Sequence, residues 1–216
     1  MMNSNRYILL FLLLAGEMLF GQLYVRGSMG ISFFTAPAMK DYLNFNYAPA
    51  DQQVNTFSTS VEFAGEAGYI SGGYSYAAEF AYFLNSYTYP FIASQYEFGY
   101  GILAPSVIVS SVTSGKGYNL RLGAGAGPRF TTVEETIPGS NVKKSFTSAG
   151  VGFLVKAEGN TALSENLYAY IAGDIRYDMN GEPEKDGKGM TSLLTPENLS
   201  MNIFSFGIKL GVSYIF

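Results

Sequence analysis

The chain has 216 residues, with 13 Lys and Arg against 17 Asp and Glu for a net charge of −4, and it contains no Cys, His or Trp. This composition removes disulfides and thiolate metal sites. It also removes the commonest zinc ligand and the best general base at neutral pH, and any basic stripe for nucleic acid. Hydrophobic residues reach 48% with only 14% charged, unusual for a soluble surface in a chain of one-domain length. Yet beyond the N-terminus no run reaches the roughly 18 apolar residues of a spanning helix.

A short positive segment at Arg6 precedes an apolar run over residues 7–14, too short to cross a bilayer as a helix. Small residues follow, so residues 1–21 are predicted to be a signal peptide and 22–216 the mature domain. Leu19, at the minus-three position of a cut after Gly21, is large for that place and leaves the cleavage site open. The lack of Cys argues against a lipoprotein. An N-terminal anchor helix is the alternative, opposed by the short run and by Glu17.

Strand-like stretches then recur. The first, residues 23–34, sets Leu23, Val25, Met29, Ile31 and Phe33 against Tyr24, Arg26, Ser28 and Ser32. After a long loop with Pro37, Lys40, Pro49 and Asp51, the second, 57–69, sets Phe57, Val61, Phe63 and Tyr69 against Glu62 and Glu66. Ser71-Gly72-Gly73 turns into a third, 74–84, where Tyr76, Phe80, Tyr82 and Leu84 oppose Glu79. An aromatic loop, 87–91, leads to a fourth near Tyr96, with Tyr96, Phe98, Tyr100 and Ile102 on the apolar face and Glu97, Gly99 and Gly101 on the other. Pro105 removes a ladder donor there and predicts a bulge or a register change.

The turn 113–117 opens the fifth strand, 118–130, in which Tyr118, Leu120, Leu122, Ala124 and Ala126 oppose Asn119, Arg121, three glycines and Arg129. A charged loop with Glu134, Glu135, Lys143 and Lys144 follows. The sixth strand sets Val151, Phe153, Val155 and Ala157 against Lys156, Glu158 and Asn160. Ser164-Glu165-Asn166 turns into the seventh, with Leu167, Ile171, Ile175 and Tyr177 opposite Asp174, Arg176 and Asp178. After the hydrophilic stretch 180–200, the closing strand alternates Phe204, Phe206, Ile208, Leu210, Val212, Tyr214 and Phe216 with Ser205, Gly207, Lys209, Gly211 and Ser213.

Long and short connections alternate, as in transmembrane barrels with loops outside and tight turns in the periplasm. The predicted fold class is all-β, an antiparallel up-and-down transmembrane barrel of eight strands, or ten if the first or last long loop holds a hairpin. A soluble lipocalin-like barrel alternates in the opposite sense, and charge chooses between them. Glu62, Glu66, Glu79, Glu97, Arg121, Arg129, Lys156, Glu158, Asp174, Arg176 and Lys209 all lie mid-strand on the small-residue face. Facing lipid at the midplane, each Arg or Lys would cost about 2–4 kcal/mol.

These residues are therefore assigned to the lumen as a structural charge network, the Glu-rich arc of strands two to four facing the Arg- and Lys-rich arc of strands five to eight. A lining that conducts ions or solute is the other reading. Tyr69, Tyr82, Tyr96, Tyr118, Tyr177 and Tyr214 suit an interfacial girdle. Gly123, Gly125 and Gly127 are expected to leave room for Tyr168, Tyr170 and Arg176. The loop residues Tyr42, Leu43, Phe45 and Tyr47, with Tyr87, Tyr89, Phe91 and Ile92, are read as packing together or joining the outer girdle, the alternative being a grip on an external ligand.

Signal peptide, strand alternation, Gly-rich fifth strand and terminal Phe216 together resemble the small bacterial outer-membrane barrels of the OmpW, OmpX and OmpA-barrel type, over the whole mature chain. The resemblance implies a place in the bacterial outer membrane, in contact with its lipid and lipopolysaccharide. It also implies insertion by the barrel-assembly machinery, with Phe216 and Tyr214 as the signal. Enzymes among such barrels use a histidine, absent here; a carboxylate-only enzyme on Glu62 and Glu66 is the least favoured reading. No peptidoglycan-binding domain is read after the barrel. The expected function is a non-enzymatic structural or surface-interaction scaffold, without cofactor and without a nucleic-acid partner, whose loops contact the exterior, where an extracellular ligand is an open option. The alternative is a narrow channel, or an OmpW-like conduit for small hydrophobic molecules. A conduit calls for an apolar upper lumen, where the sequence is read as mostly Gly, Ser and charges.

Overall fold

The computed structural model describes residues 21–51, 53–55, 58–91, 94–139, 142–191 and 198–216. Apart from Gly21, the predicted signal peptide lies outside the described residues, as do Phe57 and Ile92.

The period-two alternation resolves into strands β1 (Gln22–Thr35), β2 (Ser58–Ser71), β3 (Tyr74–Phe91), β4 (Ser94–Gly115), β5 (Tyr118–Thr136), β6 (Lys143–Ala162) and β7 (Leu167–Met179). A two-rung hairpin, β8 (Glu184–Lys185) and β9 (Lys188–Gly189), precedes the closing strand β10 (Ile203–Ile215). Eight of these, β1 to β7 and β10, pair antiparallel in a closed ring, completed by β1 with β10 and β5 with β6. Closure leaves no open edge in the wall, so the backbone polar groups can be satisfied inside lipid. The last long connection does hold a hairpin, but among the described residues its strands pair with the ring only through Thr147 opposite Glu184 and add nothing to the wall.

Cross-strand partners followed once around the ring run Tyr24, Gly68, Ala77, Ile108, Gly125, Leu154, Arg176, Ser205 and then Phe34, ten residues along β1 from the start. That stagger tilts the strands, typically by about 35–45° in such barrels. Leu23, Val25, Met29 and Ile31 of β1, and Leu210, Val212 and Tyr214 of β10, stand exposed on the outside, while Arg26 and Lys209 of the same strands are buried within. Tyr82, Tyr118, Tyr177 and Tyr214 also face outward, where their rings suit the membrane interface. Among the described residues no helix is long and apolar enough to cross a membrane; the crossing is made by strands.

Strand β4 departs from its expected orientation. Tyr96, Phe98, Tyr100 and Ile102 are buried inside the barrel, while Glu97, Gly99 and Gly101 point out. Tyr96 is therefore not a girdle residue, and Glu97 is not a lumenal charge: its carboxylate accepts instead from the Gln95 amide near the strand tip. The rule that apolar means outward fails where the lumen itself is apolar. Both β3 and β4 extend well beyond the strands predicted for them, and the expected aromatic loop 87–91 is part of β3, paired up to Phe91 opposite Ser94.

Pro105 causes no register change. Pairing with β5 stops after Leu103–Phe130 and resumes at Val107–Ala126 in the same register, which sets Pro105 opposite Pro128. Neither proline has an N–H to give. The Arg129 Nη1 donates to the carbonyls of Pro105, Gly127 and Pro128 at 3.2, 3.2 and 3.0 Å, and to Ser106 Oγ at 3.2 Å. One guanidinium thus takes over the donors that the ladder lacks. Nor do the β5 glycines make room for Tyr168, Tyr170 and Arg176. A Cβ on Gly123, Gly125 or Gly127 would overlap the β4 carbonyls of Val109, Val107 and Pro105 respectively, so their role is to let two wall strands approach closely.

The first long connection contains a helix, α1 (Pro37–Asn46), in place of an irregular loop. Pro37 suits a first helical turn, where its missing N–H is not needed. Met39, Tyr42 and Leu43, spaced to share one face, are its buried residues. Asn44 ties the segment beyond the helix, donating to Val54 O at 3.1 Å and accepting from Val54 N–H at 2.7 Å.

Candidate functional site in the lumen and mouth

The strand alternation sends most of the predicted charges into one central layer. Lys156 Nζ from β6 reaches across to Glu66 and Glu79 at 2.5 and 2.9 Å, and to Glu158 beside it at 2.9 Å. Arg176 Nη2 from β7 meets Glu79, Asp174 and Glu62 at 2.6, 3.2 and 3.3 Å. Lys209 Nζ from β10 lies 2.7 Å from Asp174, 2.8 Å from Glu62 and 3.5 Å from Glu79. Arg26 completes the layer against Glu158 and, at 3.5 Å, Glu66. All these side chains are buried. Charge removed from water this completely is tolerable only when paired and hydrogen-bonded.

Arg121, also predicted for this network, has no ion pair among the described residues. Its guanidinium lies 4.2 Å from the centre of the Tyr24 ring and its Nε donates to Asn119 at 3.2 Å. With it, the cations Arg26, Arg121, Lys156, Arg176 and Lys209 balance the carboxylates Glu62, Glu66, Glu79, Glu158 and Asp174. Arg129 stands apart, paired with Asp178 at 2.5 Å. The sequence places Arg26 and Asp178 on the lumenal face but outside the predicted network; their strand phase, shared with Tyr24 and Arg176, is the signal that marks them as members.

Toward the periplasmic end the Tyr24 hydroxyl donates to Glu66 at 2.7 Å, and Arg26 stacks on Tyr24 and Tyr170 at 4.8 and 4.4 Å. Asn160 and Ser213 close this end through bonds to Asn119 and Asn160 at 2.9 and 3.0 Å.

Above the charges the lumen is aromatic, not the Gly, Ser and charged lining expected. Phe34 meets Tyr100 edge-on at 5.9 Å, and Met39 and Leu43 of α1 are enclosed with Phe98, Ile102 and Met201. One cavity of about 10 Å³, bounded by Phe34, Phe83, Tyr100 and Asp178 among others, lies in this layer, about the room a single water needs. Tyr47 stacks on Tyr96 at 3.7 Å. The hydroxyls of Tyr42 and Tyr96 both donate to Glu135 Oε1, at 2.6 and 2.8 Å. Burial and the Glu135 charge push the Tyr42 hydroxyl above its ordinary value, so it keeps its proton and stays a donor. Tyr42, Leu43, Tyr47, Tyr87 and Tyr89 thus pack together in and around the mouth, whereas Phe45 is exposed.

At the far end Tyr214 and Phe216 are exposed, their rings edge-on at 4.9 Å, and the Phe216 N–H donates to Leu23 O at 2.9 Å. Among the described residues no group of acids is arranged to hold a metal ion.

No protein-family model matches the sequence, and no curated protein matches it. Among solved structures, a major outer membrane protein from Thermus thermophilus is similar over 91% of this chain and 99% of its own, with a TM-score of 0.53 and 13% identity. Neisserial surface protein A is similar over 89% and 96%, with 0.48 and 15%. Ail, the attachment invasion locus protein of Yersinia pestis, is similar over 91% and 97%, with 0.48 and 12%. At 13% identity the likeness to the Thermus protein speaks for the fold alone. With an apolar outer wall, a charged interior and a closed ring of eight antiparallel strands, this chain has the fold of the small β-barrel proteins of the bacterial outer membrane.

Proposed function

We propose that the barrel is a closed, non-enzymatic scaffold that presents its extracellular loops, and is neither a channel nor a conduit. The observation that carries this reading is that the lumen is filled at two successive levels, by the charge layer and by the aromatic layer into which α1 is folded. The apolar upper lumen is the feature a conduit would use. Against that use, Leu43 and Met39 occupy it, and the ring is paired all round. Glu62 and Glu66, the carboxylates considered for acid–base work, are both engaged by cations, which favours structure over catalysis. The eleven-residue network read from the sequence is, without Glu97, proposed as the structural core of the barrel.

Planar-bilayer recording of the purified protein tests the proposal. Silence is expected from the native chain, and reproducible unitary currents would refute the closed lumen. Leu43→Asp, which puts a charge where α1 is packed, is expected to stay silent too, because the charge layer lies beneath. Currents in that variant alone would make the helix, rather than the charges, the closing element.

A further inference from the structure

At the extracellular mouth, α1, the tips of β5 and β6 and the β8–β9 hairpin bound an open cleft of about 450 Å³, within the roughly 300–1,000 Å³ of small-ligand sites. The buried carboxylate of Glu135 lines it, one oxygen already held by two tyrosine hydroxyls. Tyr47 and Phe146 supply aromatic wall, and Lys144, Lys185 and Lys188 stand exposed around the opening.

The hairpin geometry sets two of those lysines side by side. Asp186 and Gly187, with φ of 53° and 73°, form a two-residue turn with both central residues left-handed, the geometry that matches strand twist. Lys185 then lies directly across from Lys188, and directly opposed residues project from the same face. Like charges so placed destabilise a hairpin, and Lys144, directly across from Glu135 in the β5–β6 ladder, adds a third to the same cleft, which Asp186 also lines. Neighbouring Lys143 pairs with Glu134 at 2.6 Å, but Lys144, Lys185 and Lys188 make no ion pair with any described residue. The facing of Lys185 and Lys188 adds nothing to hairpin stability, and three exposed lysines around one cleft are a setting for an anion.

We propose that the cleft binds a saccharide carrying a phosphate or carboxylate group. The anion sits among the three lysines, the apolar face of the sugar packs on Tyr47 and Phe146, and sugar hydroxyls donate to Glu135. The floor carboxylate repels a bare anion from the depth of the cleft and so selects ligands that bring hydroxyls with their charge. The proposal rests on the reading of the loops as a contact surface, and it is independent of whether the lumen conducts. Such a ligand has two sources, the phosphorylated sugars of neighbouring lipopolysaccharide or an acidic glycan from outside.

Glucose 6-phosphate titrated into the full barrel, in a detergent without sugar and followed by NMR, tests it against glucose and inorganic phosphate. Glucose 6-phosphate is expected to bind about tenfold more tightly than either. The triple variant Lys144→Gln, Lys185→Gln, Lys188→Gln should lose that advantage without a lower thermal unfolding midpoint, since all three side chains are exposed. Equal binding of phosphate and glucose 6-phosphate, or undiminished binding by the variant, overturns the site. Repeated in bilayers, competition from added lipopolysaccharide supports the membrane source, and lysine-dependent binding unaffected by it supports the external one. A barrel that is silent in bilayers yet ignores glucose 6-phosphate refutes this site alone, and one that conducts yet binds it refutes the closed lumen alone.

Discussion

Glu79 touches three cations at once, Lys156 at 2.9 Å, Arg176 at 2.6 Å and Lys209 at 3.5 Å, from three different strands. Glu79→Gln would leave the layer with one uncompensated positive charge, and breaking a buried pair in this way typically costs about 3–5 kcal/mol. Urea unfolding from lipid vesicles should show that loss. Adding Lys156→Met, which restores neutrality, should recover much of it; native stability in Glu79→Gln alone would mean that the network contributes little. At this scale the sequence was legible wherever charge marked the lumenal face, as for Lys156, Arg176 and Lys209. It misled at Glu97, because a charge near a strand tip can face outward into water and strand phase alone does not report height along the barrel axis. Individual partners were not legible either. Arg121 carries the same charge as Arg26, yet one stacks on a ring and donates to Asn119 while the other also meets two carboxylates.

Elements show a different division. The turns at Gly72–Gly73 and Gly117 sit where positive φ requires glycine, and the strands between them could be read from alternation. The inverted face of β4 and the existence of α1 could not, and they are two sides of one fact: β4 turns its aromatic face inward because α1 supplies apolar residues for it to pack against. Only a contact between distant segments reveals that. The β4–β5 seam is likewise a feature of pairing. Gly127→Ala would force a methyl into the Pro105 carbonyl, beside the only interruption in that ladder. We expect a loss of about 1–3 kcal/mol, in the range of overpacked sites, read as a lower unfolding midpoint. An unchanged midpoint would show that the seam is loose enough to absorb the methyl.

For the whole molecule, closure joins the first strand to the last. β10 pairs with β1 along its length, Tyr24 opposite Ile215 at one end and Thr35 opposite Phe204 at the other. Phe216 adds one backbone bond to Leu23 and an exposed ring, so the finished barrel depends on it little. If it is the residue read during insertion, removing it should slow assembly into the outer membrane while leaving the unfolding of the assembled barrel nearly unchanged. Insertion at the native rate, followed in pulse-chase membrane fractions, would remove it from that role. By itself the sequence determined that this chain crosses a membrane as an up-and-down barrel, because an apolar stripe with period two and charges on its other side has only one stable placement in lipid. What fills that barrel was decided by the tertiary structure alone. Which charges meet, and that a helix enters an aromatic mouth, depend on the stagger of the closed ring, which brings residues from opposite ends of the sequence to the same height.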